Sequence, residues 1–335
     1  MRLSALALVA ALALPAAAPA AVPSEQLELR GTYAVLHASP VDGGEHVVAL
    51  VQTPGGPVEH THDLAGVEPG ARVAVDGVTR PGGEVAPTGV ETLAAAPAEA
   101  PATGTRNLLV IRTAWGTRPQ PVTEPLANAM LADLDPWYQE VSYGALGFTG
   151  AVTPLIPIAD PGSCDETLIE TRAKAAAATA GYDLAAYDNL MAVIPNQYCE
   201  WGGLGYLGGP DQFTWVRGDQ IAQDALRVPV HELGHNLGLS HANARDCVDA
   251  SEQSCTVEEY YDPWDAMGLG WDGVGHFSAV QKTQLGWLPD VATPADGDTV
   301  TAAPSGPVAS TVNVTSPQRS VYDWPGRSAA FSMSP

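Results

Sequence analysis

Residues 231–241 read His-Glu-Leu-Gly-His-Asn-Leu-Gly-Leu-Ser-His, and this string limits the local fold more than any other part of the chain. His231 and His235 lie four residues apart, so a helix would place both imidazoles on one face. Gly238 follows, and a glycine can end a helix with a positive φ. The sharp turn that results can return His241 to the two earlier imidazoles. The spacing therefore predicts a helix, a glycine turn and three converging histidines.

Three converging imidazoles beside a carboxylate are typical of a catalytic zinc site. Imidazole nitrogens bind zinc at about 2.0–2.1 Å, and three protein ligands leave a fourth position open. Glu232 adjoins the first histidine, where it can act as general base on a zinc-bound water. We therefore predict Zn²⁺ as the cofactor, His231, His235 and His241 as its ligands, and Glu232 as the catalytic residue. The alternatives are surface histidines satisfied by hydrogen bonds, or a structural zinc site closed by a fourth ligand.

The full string resembles the H-E-x-x-H-x-x-G-x-x-H motif of the metzincin zinc peptidases. Metzincins also carry a methionine turn beneath the zinc, and Asp265-Ala266-Met267-Gly268 is similar to it, with Met267 as the turn residue. The resemblance narrows to the gametolysin-like (peptidase M11) family and covers roughly residues 107–290. It is carried by further segments at residues 199–202, 235–238, 262–268, 277 and 281–287.

This resemblance implies an α/β (α+β) catalytic domain of the metzincin type, and the β-prone runs before it predict a small all-β domain. The resemblance also implies a zinc-dependent endopeptidase that acts on a protein or peptide substrate, and the N-terminal sequence described below predicts that it is secreted. Two departures matter. Pro229 precedes the first ligand and would kink a longer helix, unless the helix starts there. No tyrosine closely follows Met267, so no transition-state tyrosine is assigned, and Tyr260 and Tyr261 are expected to be packing residues.

Two other functions remain open at this stage. The chain could be a non-catalytic zinc-binding or adhesion protein on a peptidase fold, although such a protein would not need Glu232. It could also be a zinc amidase that acts on small or cell-wall peptides, because substrate size is not written in the motif. The glycine-rich residues 202–209 could form the sheet edge that binds an extended peptide, or a plain loop.

The first 20 residues are typical of a secretory signal peptide. A positive Met1-Arg2 start precedes an apolar run and a small-residue stretch that ends near Ala20. The run is too short to span a bilayer, and no later segment is long enough, so we expect no membrane span. A net charge of −23 without a basic stripe argues against nucleic acid as a partner. We expect a secreted monomer.

The remaining chain divides by composition. Short β-prone runs between glycine pairs predict a β-barrel-like N-terminal domain over residues 21–93, which could be an inhibitory propeptide. It has no cysteine, so a thiolate switch is excluded, and His60, His62 or Asp63 could fill the open zinc position instead. An Ala/Pro-rich linker is predicted over 94–106 and the catalytic domain over 107–290. Residues 291–335 are expected to be a short β-rich or disordered tail, with truncation left open.

The four cysteines are Cys164, Cys199, Cys247 and Cys255. An even count in an exported chain favours disulfides. Three pairings exist, and we prefer Cys164–Cys199 with Cys247–Cys255 because each closes a local loop. A cysteine zinc site is the weaker alternative, since the chain contains no C-x-x-C pair.

Overall fold

The computed structural model describes residues 26–40, 46–60, 64–80, 84–97, 102–195, 199–247, 255–269, 274–288, 299–302, 310–313, 319–324 and 327–332. The predicted signal peptide lies outside these residues, as do His62 and Asp63. Within the described ranges, no helix has the length and apolarity needed to cross a membrane.

The first five strands are hydrogen-bonded in a ring. They are β1 (Gln26–Pro40), β2 (His46–Thr53), β3 (Gly56–His60), β4 (Arg72–Thr79) and β5 (Val85–Ala94). The pairing runs β1–β2–β3–β5–β4 and returns to β1. Alternate residues of β1, including Tyr33 and Val35, point into a separate apolar core inside this ring.

A mixed sheet with helices on both faces follows the ring. This part of the chain contains β6 (Gly104–Ala114), α1 (Glu124–Val141), β7 (Leu146–Val152), β8 (Ile156–Pro157), α2 (Glu166–Thr179), a 3₁₀ helix (Leu184–Ala186), β9 (Asn189–Ile194), β10 (Trp201–Tyr206), β11 (Phe213–Arg217), α3 (Gly218–Gln223), α4 (Arg227–Asn236), β12 (Ala244–Cys247), β13 (Cys255–Glu258) and α5 (Ala279–Gln284). Strands β12 and β13 form a separate two-stranded sheet. Four short strands follow: β14 (Thr299–Ala302), β15 (Ser310–Asn313), β16 (Arg319–Trp324) and β17 (Arg327–Ser332).

The sheet order is β7–β6–β9–β11–β10, and β10 is antiparallel to β11 while the other pairs are parallel. The central strands are apolar on both faces because helices cover both. Leu108 and Val110 of β6 pack in the same core as α1 and α4, whereas Leu109 and Ile111 pack with α2.

The ring and the mixed sheet are continuous, because β1 pairs with β10 and extends the sheet to 11 strands. Leu36 and Ala38 of β1 share a core with Leu204 and Tyr206 of β10. The start of the mixed sheet also differs from the end of the linker that was predicted from composition. β6 begins at Gly104, inside the segment predicted as linker, because its first residues already pair with β7.

A disulfide joins Cys164 to Cys199, which is one of the two preferred pairs. It ties the segment before α2 to the segment before β10. Cys247 and Cys255 are directly opposed in the β12–β13 register, and Cys255 is disulfide-bonded. Within the described part of the chain no cysteine is a free thiol.

Candidate metal centre

The helix that carries the first two histidines begins at Arg227, which resolves the question raised by Pro229. Proline is therefore in the first turn of α4, where a backbone N–H has no acceptor within the helix. The Asp224 carboxylate accepts the backbone N–H groups of Leu226 and Arg227, at 3.1 and 3.2 Å. The proline thus starts the helix without kinking it.

The helix ends at a glycine, as the spacing predicts. Gly238 has φ +87°, and its N–H donates to the carbonyl of His235 at 2.8 Å. Leu239 donates to the carbonyl of Gly234 at 3.1 Å, which completes a Schellman motif. The reversal brings His241 back toward α4.

The three predicted ligand side chains converge in the interior. The ring centroids of His231 and His235 are 4.7 Å apart, and those of His235 and His241 are 4.9 Å apart. The centroids of His231 and His241 are 5.2 Å apart. All three side chains are buried, so they face one another across a small enclosed space.

Hydrogen bonds on the far side of each ring set which nitrogen faces this space. Nδ1 of His231 donates to the carbonyl of Ala266 at 2.9 Å, and Nδ1 of His235 donates to the carbonyl of Leu239 at 2.7 Å. Each of these rings therefore carries its proton on Nδ1 and keeps a lone pair on Nε2. Nδ1 of His241 lies 3.4 Å from a carboxylate oxygen of Glu259.

The three inward nitrogens fit a zinc ion. Nε2 of His231, His235 and His241 is buried and has no hydrogen-bond partner among the described residues. Buried polar atoms without a partner are rare because each costs about 1–3 kcal/mol. Burial lowers the pKa of His231 and of His235 well below 6.5, which keeps both rings neutral, as zinc ligands must be.

A fourth histidine, from β1, was not expected from the sequence. Ligand nitrogens of His37, His235 and His241 all lie within 4.8 Å of one another, a set that does not include His231. The ring of His37 is 5.1 Å from that of His235 and 5.2 Å from that of His241. A single histidine in a β-prone run carries no signal for this position. Its placement depends on the long-range pairing of β1 with β10.

Glu232 lies beside this cluster and is fully buried. Ser39 of β1 donates its hydroxyl to Oε1 of Glu232 at 2.7 Å, and Oε2 has no partner among the described residues. Burial raises the pKa of Glu232 well above its usual value. A carboxyl in reach of a metal centre can act as a general base.

Met267 packs beneath α4. A Cβ built on Gly234 would lie 2.4 Å from Sδ of Met267 and 3.3 Å from a ring carbon of Phe277. Gly234 precedes His235, so the sulfur rests directly under the ligand-bearing turn. This is the place that the resemblance implies for the methionine turn.

Two aspartates hold that turn. The carboxylate of Asp265 accepts the backbone N–H groups of Met267 at 2.8 Å and Ser278 at 2.9 Å. Asp262 accepts the backbone N–H of Trp264 at 2.9 Å. Burial raises the pKa of Asp265 to about 7. These bonds fix the carbonyl of Ala266 that orients His231.

Tyr260 takes a position that the sequence did not indicate. It is buried, and its φ of +66° is unusual for a residue with a large side chain. Its ring centroid is 4.9 Å from that of His241 and 5.2 Å from that of His231. Tyr261, by contrast, is exposed. Strained backbone of this kind often marks functional sites.

Comparisons with known proteins give a family match and weak structural likenesses. The family model described as gametolysin peptidase M11 matches residues 127–323, more than half of the chain. Among solved structures, a zinc-dependent peptidase from Methanocorpusculum labreanum is similar at 15% identity and a TM-score of 0.31, over 54% of this chain and 100% of that one. A chaperone–substrate complex is similar at 14% identity and a TM-score of 0.29, over 65% of this chain and 33% of that one.

No curated protein matches this chain. The two structural likenesses are too weak to carry an argument, so the assignment depends on the family match and on the site. The match includes α4, the glycine turn and the methionine turn, the elements that build the histidine cluster. This chain therefore belongs to the gametolysin (peptidase M11) family of peptidases.

Proposed function

We propose that this protein is a secreted zinc-dependent endopeptidase. The observation that carries the proposal is the set of three partnerless Nε2 atoms, on His231, His235 and His241, beside the buried carboxyl of Glu232. Family membership supports peptide-bond hydrolysis, and the site supplies the groups that this reaction needs.

His231, His235 and His241 would hold the zinc ion. When bound, zinc supplies Lewis acidity toward water and toward the scissile carbonyl. Glu232 accepts the proton of the attacking water and delivers it to the leaving amine nitrogen. Burial raises its pKa, which makes the carboxylate a stronger base toward that water.

Tyr260 is our candidate for stabilising the oxyanion. Its ring lies against those of His231 and His241. A phenol placed at the edge of a metal centre can donate a hydrogen bond to the charge that develops on the carbonyl oxygen.

The substrate would bind as an extended strand along β10. Gly203 and Gly205 lie where a side chain would collide with α4: a Cβ on Gly203 would be 2.3 Å from Oε1 of Glu232. A Cβ on Gly205 would be 3.2 Å from Cβ of His235. The two glycines let the strand run close over the site, and an extended peptide can add to its edge through main-chain hydrogen bonds.

Secretion is supported by the Cys164–Cys199 disulfide, because such bonds persist in oxidising compartments. The apolar segment that follows Met1-Arg2 is the sequence basis for export. Mass determination of the protein in the culture medium would test both points. A chain that stays in the cell with its N-terminus intact would contradict them.

The experiment that tests the function is zinc quantification together with digestion of unfolded casein, with and without a chelator. We expect one zinc per chain and hydrolysis that the chelator abolishes. Glu232→Gln should retain zinc and lose hydrolysis. Glu170→Gln is the matched control, since Glu170 is also buried but lies on α2, on the opposite face of the sheet.

The result would also separate the rival functions. Zinc retained without hydrolysis of protein or peptide would favour a non-catalytic binding protein. Hydrolysis confined to small amides or cell-wall peptides would favour an amidase. Casein cleavage by Glu232→Gln at the normal rate would refute the assignment of the base.

A further inference from the structure

The strand β1 runs through the proposed substrate site. It pairs antiparallel with β10, with His37 opposite Gly205 and Ser39 opposite Gly203. These two glycines are the positions at which β10 has no side chain to cover α4. β1 therefore takes the sheet edge that an incoming peptide would need, and only one strand can be hydrogen-bonded there at a time.

Two side chains of β1 reach across the glycines into the centre. Residues two apart on a strand point to the same face, so His37 and Ser39 both face α4 while Leu36 and Ala38 pack on the other side. Ser39 bonds to Oε1 of Glu232 at 2.7 Å. The imidazole of His37 is directed at those of His235 and His241.

His37 has the properties of a ligand rather than of a packing residue. Its side chain is 9% exposed, and its Nδ1 has no hydrogen-bond partner among the described residues. Its ligand nitrogen lies within 4.8 Å of those of His235 and His241. A histidine buried for packing alone would normally have both nitrogens satisfied.

A fourth protein ligand changes what a zinc site can do. Zinc sites with four protein ligands are closed and structural, whereas catalytic sites keep one position open for water or substrate. His37 would close the position that catalysis requires. Ser39 would at the same time donate a hydrogen bond to one carboxylate oxygen of Glu232, the proposed general base.

We infer that β1 is a built-in inhibitor of this enzyme, in which His37 is the fourth metal ligand, Ser39 holds Glu232, and the strand blocks the β10 edge. The inference rests on the proposed zinc site. The full chain is then latent, and a cut between β5 and β6 that lets β1 leave would release activity. Exposed Ala95 and Pro97 lie at the start of this connection, and buried Ala102 lies near its end, anchored through its carbonyl by the indole N–H of Trp287.

The first test needs no activity. The full chain is loaded with Co²⁺ and titrated with acetohydroxamate, a small chelator that must enter an open metal position, and the visible absorption of cobalt reports binding. We expect His37→Ala to bind acetohydroxamate at least about tenfold more tightly than the wild type. The control is His276→Ala, which removes a half-exposed imidazole bonded to Glu140 outside the cluster. Equal affinities for wild type and His37→Ala would overturn the inference.

A second variant protects this test from a folding artefact. His37→Gln keeps a polar side chain of similar length but lacks the imidazole, so it should bind acetohydroxamate like His37→Ala. Circular dichroism and the denaturant midpoint establish that each variant is folded. If a folded His37→Gln binds as weakly as the wild type, His37 does not close the site.

Hydrolysis of a fluorogenic peptide separates failure of this inference from failure of the proposed function. A sequence-specific protease site placed between β5 and β6 allows the same preparation to be assayed intact and cut. Latency predicts at least a tenfold rise after cutting, because only the cut lets β1 leave the β10 edge. Equal zinc-dependent activity before and after the cut would overturn latency alone. No activity in any form would contradict the proposed function, while the cobalt titration would still decide the role of His37.

Discussion

Gly234 lies where α4 rests on Met267, and replacing it with alanine should destabilise the protein although alanine is the better helix former. The exchange gains about 1 kcal/mol of helix propensity. The new Cβ would stand 2.4 Å from Sδ of Met267, well inside contact distance, so the sulfur or the helix must move. Overpacking of this kind costs about 1–3 kcal/mol. We therefore expect Gly234→Ala to be neutral to about 2 kcal/mol less stable, never more stable.

A double-mutant cycle isolates the contact. Met267→Ala alone removes a fully buried side chain and should cost about 2–5 kcal/mol. In Gly234→Ala/Met267→Ala the collision is gone, so the double variant should be at least about 1 kcal/mol more stable than the sum of the single effects. Gly144→Ala is the control: Gly144 has φ +82° and its Cβ would contact only Gln139, so it should be additive with Met267→Ala.

Urea denaturation of the metal-free proteins measures the cycle, and zinc affinity of the same variants shows whether the ligand turn has moved. A Gly234→Ala variant that is about 1 kcal/mol more stable than wild type would refute this packing. Additive effects of Gly234→Ala and Met267→Ala on stability would refute it as well. Either outcome would mean that the methionine is not under the ligand-bearing turn.

Three further predictions concern the same domain. Burial lowers the pKa of His231 and His235, so these two groups should make the metal-free protein less stable as the pH falls below 6.5, while buried Glu232 and Asp265, whose pKa values are raised, act in the opposite direction; a His231→Gln/His235→Gln variant whose urea midpoint changes between pH 7 and 5 in the same way as that of the wild type would contradict this. Tyr260→Phe should lower kcat by about 100-fold at unchanged zinc content, and an unchanged kcat would remove Tyr260 from the mechanism. Replacing Cys164 and Cys199 with serine should cost about 3–4 kcal/mol, because the bond closes a loop with a sequence separation of 35; a melting curve like that of the wild type would argue against it.

The local parts of the site could be predicted from the sequence because short-range rules determine them. The four-residue spacing of His231 and His235 requires only a helix, and Gly238 requires only that the helix stop. The methionine turn came from resemblance, and the contact of Met267 with Gly234 gives it a physical reason. Pro229 raised doubt only because the start of α4 cannot be read to the residue.

The parts that could not be predicted depend on contacts between distant segments. His37 and Ser39 reach the centre because β1 leaves its pairing with β4 and continues along β10. Nothing in the short run around His37 distinguishes a ligand from an ordinary strand residue. Of the candidates that we considered for the open position, His60 lies at the end of β3, whereas the histidine beside the cluster is His37 of β1. The positive φ of Tyr260 is set in the same way, by the loop that packs it against two imidazoles.

The most direct test of the central claim is a crystal of the zinc-loaded protein measured at the zinc absorption edge. The account predicts one anomalous peak per chain, about 2.0–2.1 Å from Nε2 of His231, His235 and His241. A peak that is not bonded to these three nitrogens, or a zinc-loaded crystal without a peak between α4 and His241, would contradict it.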